Sequence, residues 1–167
     1  DKYIDDYFEK DLADHTRAHI KLNNTKIATV KDNNNPYFIL SDHLNSSSIL
    51  TDNNGNISQL SDYQPFGNIS YESTLQELGD DYTFTGKELD EENELQYFGA
   101  RYLDNQIAKF TSIEPVMLVL YDGNKVKSIS GQELKKILSD PQGLNSYSYS
   151  RNNPIILVDV DGNWWKE

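Results

Sequence analysis

The chain has 167 residues, 37% of them hydrophobic and 11% aromatic, with eleven tyrosines, no cysteine and a net charge of −12. That length suffices for one domain with a sizeable core, and the missing thiols exclude disulfides and thiolate metal sites. The acidic balance opposes binding to nucleic-acid phosphates and anionic lipid, and no apolar run reaches the roughly 18 residues a membrane span needs.

Abundant Tyr, Asn and Gly suit many short strands joined by polar turns. Lys2–Lys10 and Ala18–Val30 alternate in patches, which predicts strand, a turn over Asp11–Asp14, and strand. Asn23-Asn24 divides the second stretch into Ile20–Leu22 and Lys26–Val30, and Asp32–Pro36 reads as a loop. Tyr37–Leu40, Ser47–Thr51 and Ile57–Tyr63 read as strands, the last two paired across Asp52–Gly55. Ser73–Asp81 reads as an acidic linker. Thr83–Leu89 and Glu94–Tyr102 read as strands around a turn at Asp90–Asn93, with Phe84, Leu95 and Tyr97 on the face to be buried. Val116–Tyr121 reads as an apolar strand and Asp122–Asn124 as a turn. Ser130 and Glu133 have capping-box spacing, and Leu134, Ile137 and Leu138 then mark one short helix near 132–139, stopped by Pro141. Trp164 and Trp165 are expected to pack, since paired exposed indoles would be costly. The fold class is therefore mainly β, an antiparallel strand-turn-strand array with one short helix.

Phe84, Gly86, Lys87, Asp90, Leu95, Tyr97, Gly99, Ala100, Arg101, Tyr102 and Asp104 closely match the signature of the Rhs/YD-repeat-associated core domain. The resemblance continues in Asp42-His43-Leu44 with Thr51–Gly55, in Tyr63–Gly67 with its Pro65-Phe66-Gly67, and in Asn145–Tyr149 with Asn152-Asn153-Pro154. Asp159–Gly162 stands where that family has D-P-x-G, with Val160 in the proline position. Asn45 replaces a glycine and tolerates the positive φ expected there. The resemblance implies a degenerate YD-type repeat over 1–35, a core domain over 36–162 and a tail over 163–167. It also implies a section cut from a longer polypeptide that winds into a β-cocoon.

Asp159, Asp161 and Arg151 are the candidate catalytic residues. The resemblance implies aspartate-dependent self-cleavage just after the D-P-x-G step. Close carboxylates can divide acid and base roles, and an arginine can orient one of them. The alternative for the same residues is a tight turn at Asp159–Gly162 closing the last strand, with Arg151 paired to a carboxylate. His15 and His19, near Asp11 and Asp14, would face one way on a helix and suit a metal there; a strand with packed or solvated histidines is the favoured reading. Asp42-His43 with Ser41 is not a triad if it lies in a strand, because neighbours point to opposite faces. Asp52, Asn54 and Asn56 resemble a calcium loop, but Gly55 falls at the wrong position and a hairpin turn fits better. No metal and no cofactor are expected.

The expected function is structural. The section would enclose or display a C-terminal cargo such as a toxin, secreted or at a bacterial surface. Expected partners are the rest of the shell chain and its cargo, with a surface receptor or self-association through sheet edges as further possibilities; no nucleic acid and no membrane span are expected. Two alternatives remain: a single-turnover self-cleaving aspartyl protease, and an adhesion or partner-binding module using the acidic, Tyr-rich surface.

Overall fold

The computed structural model describes residues 2–5, 7–10, 14–23, 25–32, 36–75, 80–90 and 92–166. The expected turn at Asp11–Asp14 and the acidic linker therefore lie partly outside the described residues. The chain divides into two compact units, one of residues 1–63 with 69–86, the other of residues 64–68 with 87–167.

The first unit is an eight-stranded antiparallel meander. Its strands are β1 (Lys2–Asp5), β2 (Phe8–Lys10), β3 (Thr16–Leu22), β4 (Thr25–Lys31), β5 (Tyr37–Ser41), β6 (Ser47–Thr51), β7 (Ile57–Tyr63) and β8 (Ile69–Thr74), each paired with its chain neighbours in order. Short turns make this possible. Asp52 accepts the Asn54 and Asn56 amides at 2.8 and 2.9 Å, and Gly55 takes φ +83 to reverse the chain into β7.

Register then sorts the side chains. His19, Thr29 and Tyr37 stand opposite one another on β3, β4 and β5, and Ile39, Leu50 and Gln59 do so on β5, β6 and β7; all six are buried. The alternate positions carry Ile20, Phe38, Leu40, Ile57 and Leu60, which are exposed. The buried face is covered by the segment from Asp80 to Gly86. Tyr82 Oη donates to Glu9, the Thr83 carbonyl accepts from Ser47 N at 3.0 Å, and Phe84 lies 6.2 Å from the Tyr63 ring. Asp80 and Asp81 pair with Lys26 and Arg17, so the end of the expected linker is tied down by charge.

The buried face is also polar. His19 Nε2 lies 2.9 Å from Glu9 and Nδ1 lies 3.0 Å from Thr29 Oγ1. Burial would raise the Glu9 pKa, yet hydrogen bonds from His19 and Tyr82 hold it below its ordinary value.

The second unit holds a smaller antiparallel sheet of β9 (Glu88–Asp90), β10 (Leu95–Tyr97), β11 (Tyr102–Asp104) and β12 (Lys109–Phe110). Phe98, Phe110 and Tyr149 pack edge to face at 5.3–5.8 Å and with Leu103 form its buried centre. A second core joins Val116, Val126, Ile137 and Trp164. Beyond it run a 3-10 helix at Pro115–Val119, α1 (Gly123–Ser130), α2 (Leu134–Leu138) and a short ribbon of β13 (Val158–Asp159) with β14 (Trp165–Lys166).

The mainly antiparallel β class is as expected, with local corrections. Thr83–Leu89 is not one strand: Phe84–Gly86 is a 3-10 turn with Thr85 at φ 50, and pairing starts only at Glu88. Glu94–Tyr102 is likewise a hairpin, because Phe98 N donates to the Arg101 carbonyl and Gly99 takes φ +91. That turn puts Gln96 and Phe98 inside and leaves Tyr97, expected on the buried face, exposed. The apolar run Val116–Tyr121 is not extended: it is a 3-10 helix as far as Val119 and a turn beyond it, Pro115 being well suited to a first helical turn. Asp122–Asn124 starts α1 instead of forming a free turn, with Asp122 accepting the Asn124 and Lys125 amides. Ser130 ends α1, donates to the Val126 carbonyl and accepts from Gln132 N, so it does not cap α2. The expected helix over 132–139 is the single turn Leu134–Leu138.

A buried arginine shared by two carboxylates

Arg101 enters from the Phe98–Arg101 turn. The turn is seated backbone to backbone on Asp161-Gly162: Ala100 N donates to the Asp161 carbonyl at 3.1 Å. Glycine is required on both sides. A Cβ on Gly99 would lie 3.2 Å from the Asp161 oxygen, and one on Gly162 would lie 3.0 Å from Arg101 N and the Phe98 oxygen. Both residues also have φ near +70 to +90.

The Arg101 side chain then runs inward, 1% exposed, with its guanidinium 3.5 Å over the Phe110 ring. Nη2 donates to Glu114 Oε2 at 2.7 Å and Asp159 Oδ2 at 2.9 Å. Nε donates to the Gly162 carbonyl at 2.6 Å, and Nη1 to the Ser146 carbonyl at 3.4 Å. Glu114 is held just before the 3-10 helix, where its N–H donates to the Ser146 carbonyl, and Asp159 ends β13. Two buried carboxylates thus share one cation. Burial pushes the Glu114 carboxyl up to about 8, against the lowering effect of Arg101 and with Asp159 adding repulsion. Burial raises Asp159 in the same sense. Weaker backbone hydrogen bonds, from Val116 to Glu114 and from Asp161 to Asp159, oppose these shifts without cancelling them. A pair of this kind holds a proton near neutrality, so one member can donate while the other accepts.

The candidate catalytic residues do not all meet here. Asp159 does. Asp161 is exposed in the following turn, where Oδ1 accepts from Asn163 N at 3.1 Å. Arg151 pairs with Asp140 at 2.9 Å, and Arg101 takes the place beside Asp159. Glu114 was not singled out. Its signal was present: an acid set between Ile113 and the apolar run from Pro115 to Leu120 has to find a partner if that run is buried.

The other signature residues build turns. His43 is exposed in the Asp42–Asn45 turn, where Asp42 Oδ1 accepts from Leu44 N and Ser46 N and Asn45 takes φ 68. Gly86, at φ +65, lies where a Cβ would come 3.3 Å from the Asn45 oxygen. Pro65, Phe66 and Gly67 form a tight turn closed by Gly67 N to the Gln64 carbonyl. Tyr97 and Tyr102 lie together on the exposed face, their rings tilted to each other with centroids 5.0 Å apart. Asn153 N donates to the Ser150 carbonyl, and Pro154 is buried behind it. His15 precedes β3, whereas His19 lies within it, bound to Glu9 and Thr29. Among the described residues no group of His, Asp or Glu is arranged to hold a metal, and no helix is long and apolar enough to cross a membrane.

Known proteins share this architecture. The chain is 30% identical over 103 residues to the tRNA nuclease WapA of Bacillus subtilis (strain 168) and, to the same extent, to the tRNA3(Ser)-specific nuclease WapA of Bacillus spizizenii. The match takes in 61% of this chain but spans only 4% of the length of those relatives. Among solved structures, the complex TcdB2-TccC3 superposes with a TM-score of 0.68 at 22% identity, over 89% of this chain and 7% of that one. The Tc holotoxin pore of Photorhabdus luminescens, carrying the TccC3 mutation D651A, does so with a TM-score of 0.69 at 23% identity, over 90% of this chain and 6% of that one. The teneurin YD-shell family matches residues 21–155, most of the sequence. The chain therefore belongs to the teneurin YD-shell family.

Proposed function

We propose that this chain is a wall section of a secreted or surface-displayed shell whose work is steric, enclosing a C-terminal cargo that belongs to the same polypeptide. The observation that carries this reading is the eight-stranded meander in strict chain order, a sheet that can be extended strand by strand because each strand pairs only with its neighbours. The TM-scores of 0.68 and 0.69 to TcdB2-TccC3 and to the Tc holotoxin pore support the fold on which it rests. So do relatives that carry a nuclease name and of which this section is a small fraction. Protease digestion of the full polypeptide tests it. The cargo segment should survive conditions that degrade the same segment expressed alone, and equal rates of degradation would refute enclosure.

A second reading is favoured by one specific arrangement: Arg101 holds the Gly162 carbonyl while Glu114 and Asp159 share its guanidinium. In single-turnover hydrolysis after Gly162, the arginine would polarise that carbonyl, the ionised carboxylate would take a proton from the attacking water, and the protonated one would give a proton to the leaving amine. Asp159→Asn and Glu114→Gln should each abolish a cleaved band, and Asp161→Asn should not. Cleavage that persists in both of the first two variants would exclude this site.

A further inference from the structure

The first unit contains a lysine and an aspartate set for chemistry rather than for simple attraction. Lys26 Nζ lies 2.8 Å from Asp80 Oδ1 and 2.6 Å from Oδ2, and the two side chains are 10% and 1% exposed. The Tyr82 ring covers the ammonium at 3.7 Å, which excludes water from one side. The two carboxylate oxygens are not equivalent. Oδ1 also accepts from the Tyr82 backbone N–H at 3.2 Å, whereas among the described residues Oδ2 has no partner besides the Lys26 ammonium 2.6 Å away. Burial holds the lysine below its ordinary pKa even with Asp80 opposing, which favours the uncharged amine. In so dry a site the neutral pair, amine and carboxylic acid, competes with the ion pair because both charges escape desolvation.

We propose that Lys26 and Asp80 join in an intramolecular isopeptide bond, a covalent fastening of the Asp80–Gly86 segment to strand β4. A proton passes from the ammonium to Oδ2, and the freed nitrogen lone pair attacks Cγ. Negative charge collects on Oδ1, where the Tyr82 N–H already points and stabilises it. A second proton moves from nitrogen to Oδ2, the Cγ–Oδ2 bond breaks, and one water leaves. The product is a secondary amide whose oxygen is the former Oδ1. Atoms and charge balance within the pair, with no oxidant, reductant or co-reactant. Proximity supplies the acceleration, since two reacting groups held in van der Waals contact behave as a unimolecular system. The proposal goes beyond the shell reading and is independent of it.

Intact mass under denaturing conditions reads the bond directly. The 167-residue chain should weigh one water less than its sequence dictates. Complete digestion should yield a branched peptide joining Lys26 to Asp80. Lys26→Arg and Asp80→Ala should each have the full mass, and Asp80→Asn should lose one ammonia instead. Asp122-Gly123 and Asp161-Gly162 can also lose water by forming cyclic imides, so a deficit that persists in both Lys26→Arg and Asp80→Ala overturns the proposal. So does the full mass, or recovery of only linear peptides bearing these two residues, from folded wild-type chain. If the variants do not fold, the branched peptide from the wild type still decides the question.

Discussion

One guanidinium at Arg101 satisfies two carboxylates and two backbone carbonyls from a nearly waterless position. Removing it strands two buried acids, and losing one partner of a buried ion pair costs about 3–5 kcal/mol. Arg101→Ala should lower unfolding free energy by that order, read from the urea midpoint. Glu114 adds a pH signature. Its folded pKa of about 8 stands above its ordinary 4.5, so the folded state holds the proton more tightly. Its contribution is complete below 4.5 and is lost as the pH rises through about 8. Stability of the wild type should therefore fall across that window relative to Glu114→Gln, which has no proton to lose. Parallel urea midpoints for the two proteins across the window would contradict the shared-proton arrangement. None of this was legible at Arg151, the arginine that sequence proximity to Asp159 favoured. Arg151 is eight residues from Asp159 along the chain, but it sits in a 3-10 turn and faces Asp140.

Single turns decide how the strands are used. The hairpin at Asp52–Gly55 was readable because Asp and Gly at those positions select one local geometry, and the asparagines around them complete it. The Phe98–Arg101 turn was not, because Phe-Gly-Ala-Arg continues an aromatic, extended-looking pattern; only docking on Asp161-Gly162 makes a reversal there worthwhile. The two sites predict different mutational costs. Gly55→Ala meets open space and bears only the left-handed backbone, about 1–2 kcal/mol. Gly162→Ala bears that and also drives a methyl into the backbone of the Phe98–Arg101 turn 3.0 Å away, a clash worth about 1–3 kcal/mol more. Thermal melts should rank Gly162→Ala well below Gly55→Ala, and equal melting points would argue against the docked turns. The helices obey the same division. Asp122-Gly123-Asn124 has turn composition, and the same aspartate becomes an N-cap only because Val126 finds the core of Val116, Ile137 and Trp164.

Charge acts on the molecule as a whole. A net −12 on 167 residues repels itself wherever carboxylates are exposed, whereas the pairs at Arg101 and Lys26 are buried and weakly screened. Raising salt from about 0.01 to about 0.15 M shortens the screening length from about 30 to about 8 Å. The melting temperature should rise over that range; a fall would mean that exposed ion pairs such as Lys10–Asp14 outweigh the repulsion. At this scale the amino-acid order by itself determined the strand-turn rhythm, the antiparallel class and the family, because period-two alternation and turn chemistry act within a few residues and need no distant partner. Tertiary structure alone decided that Arg101 meets Glu114 and Asp159, 13 and 58 residues away, and that Lys26 meets Asp80, 54 away. Which buried charge finds which partner depends on how each unit packs its own distant segments together, and desolvation allows only the pairs that this packing brings within reach.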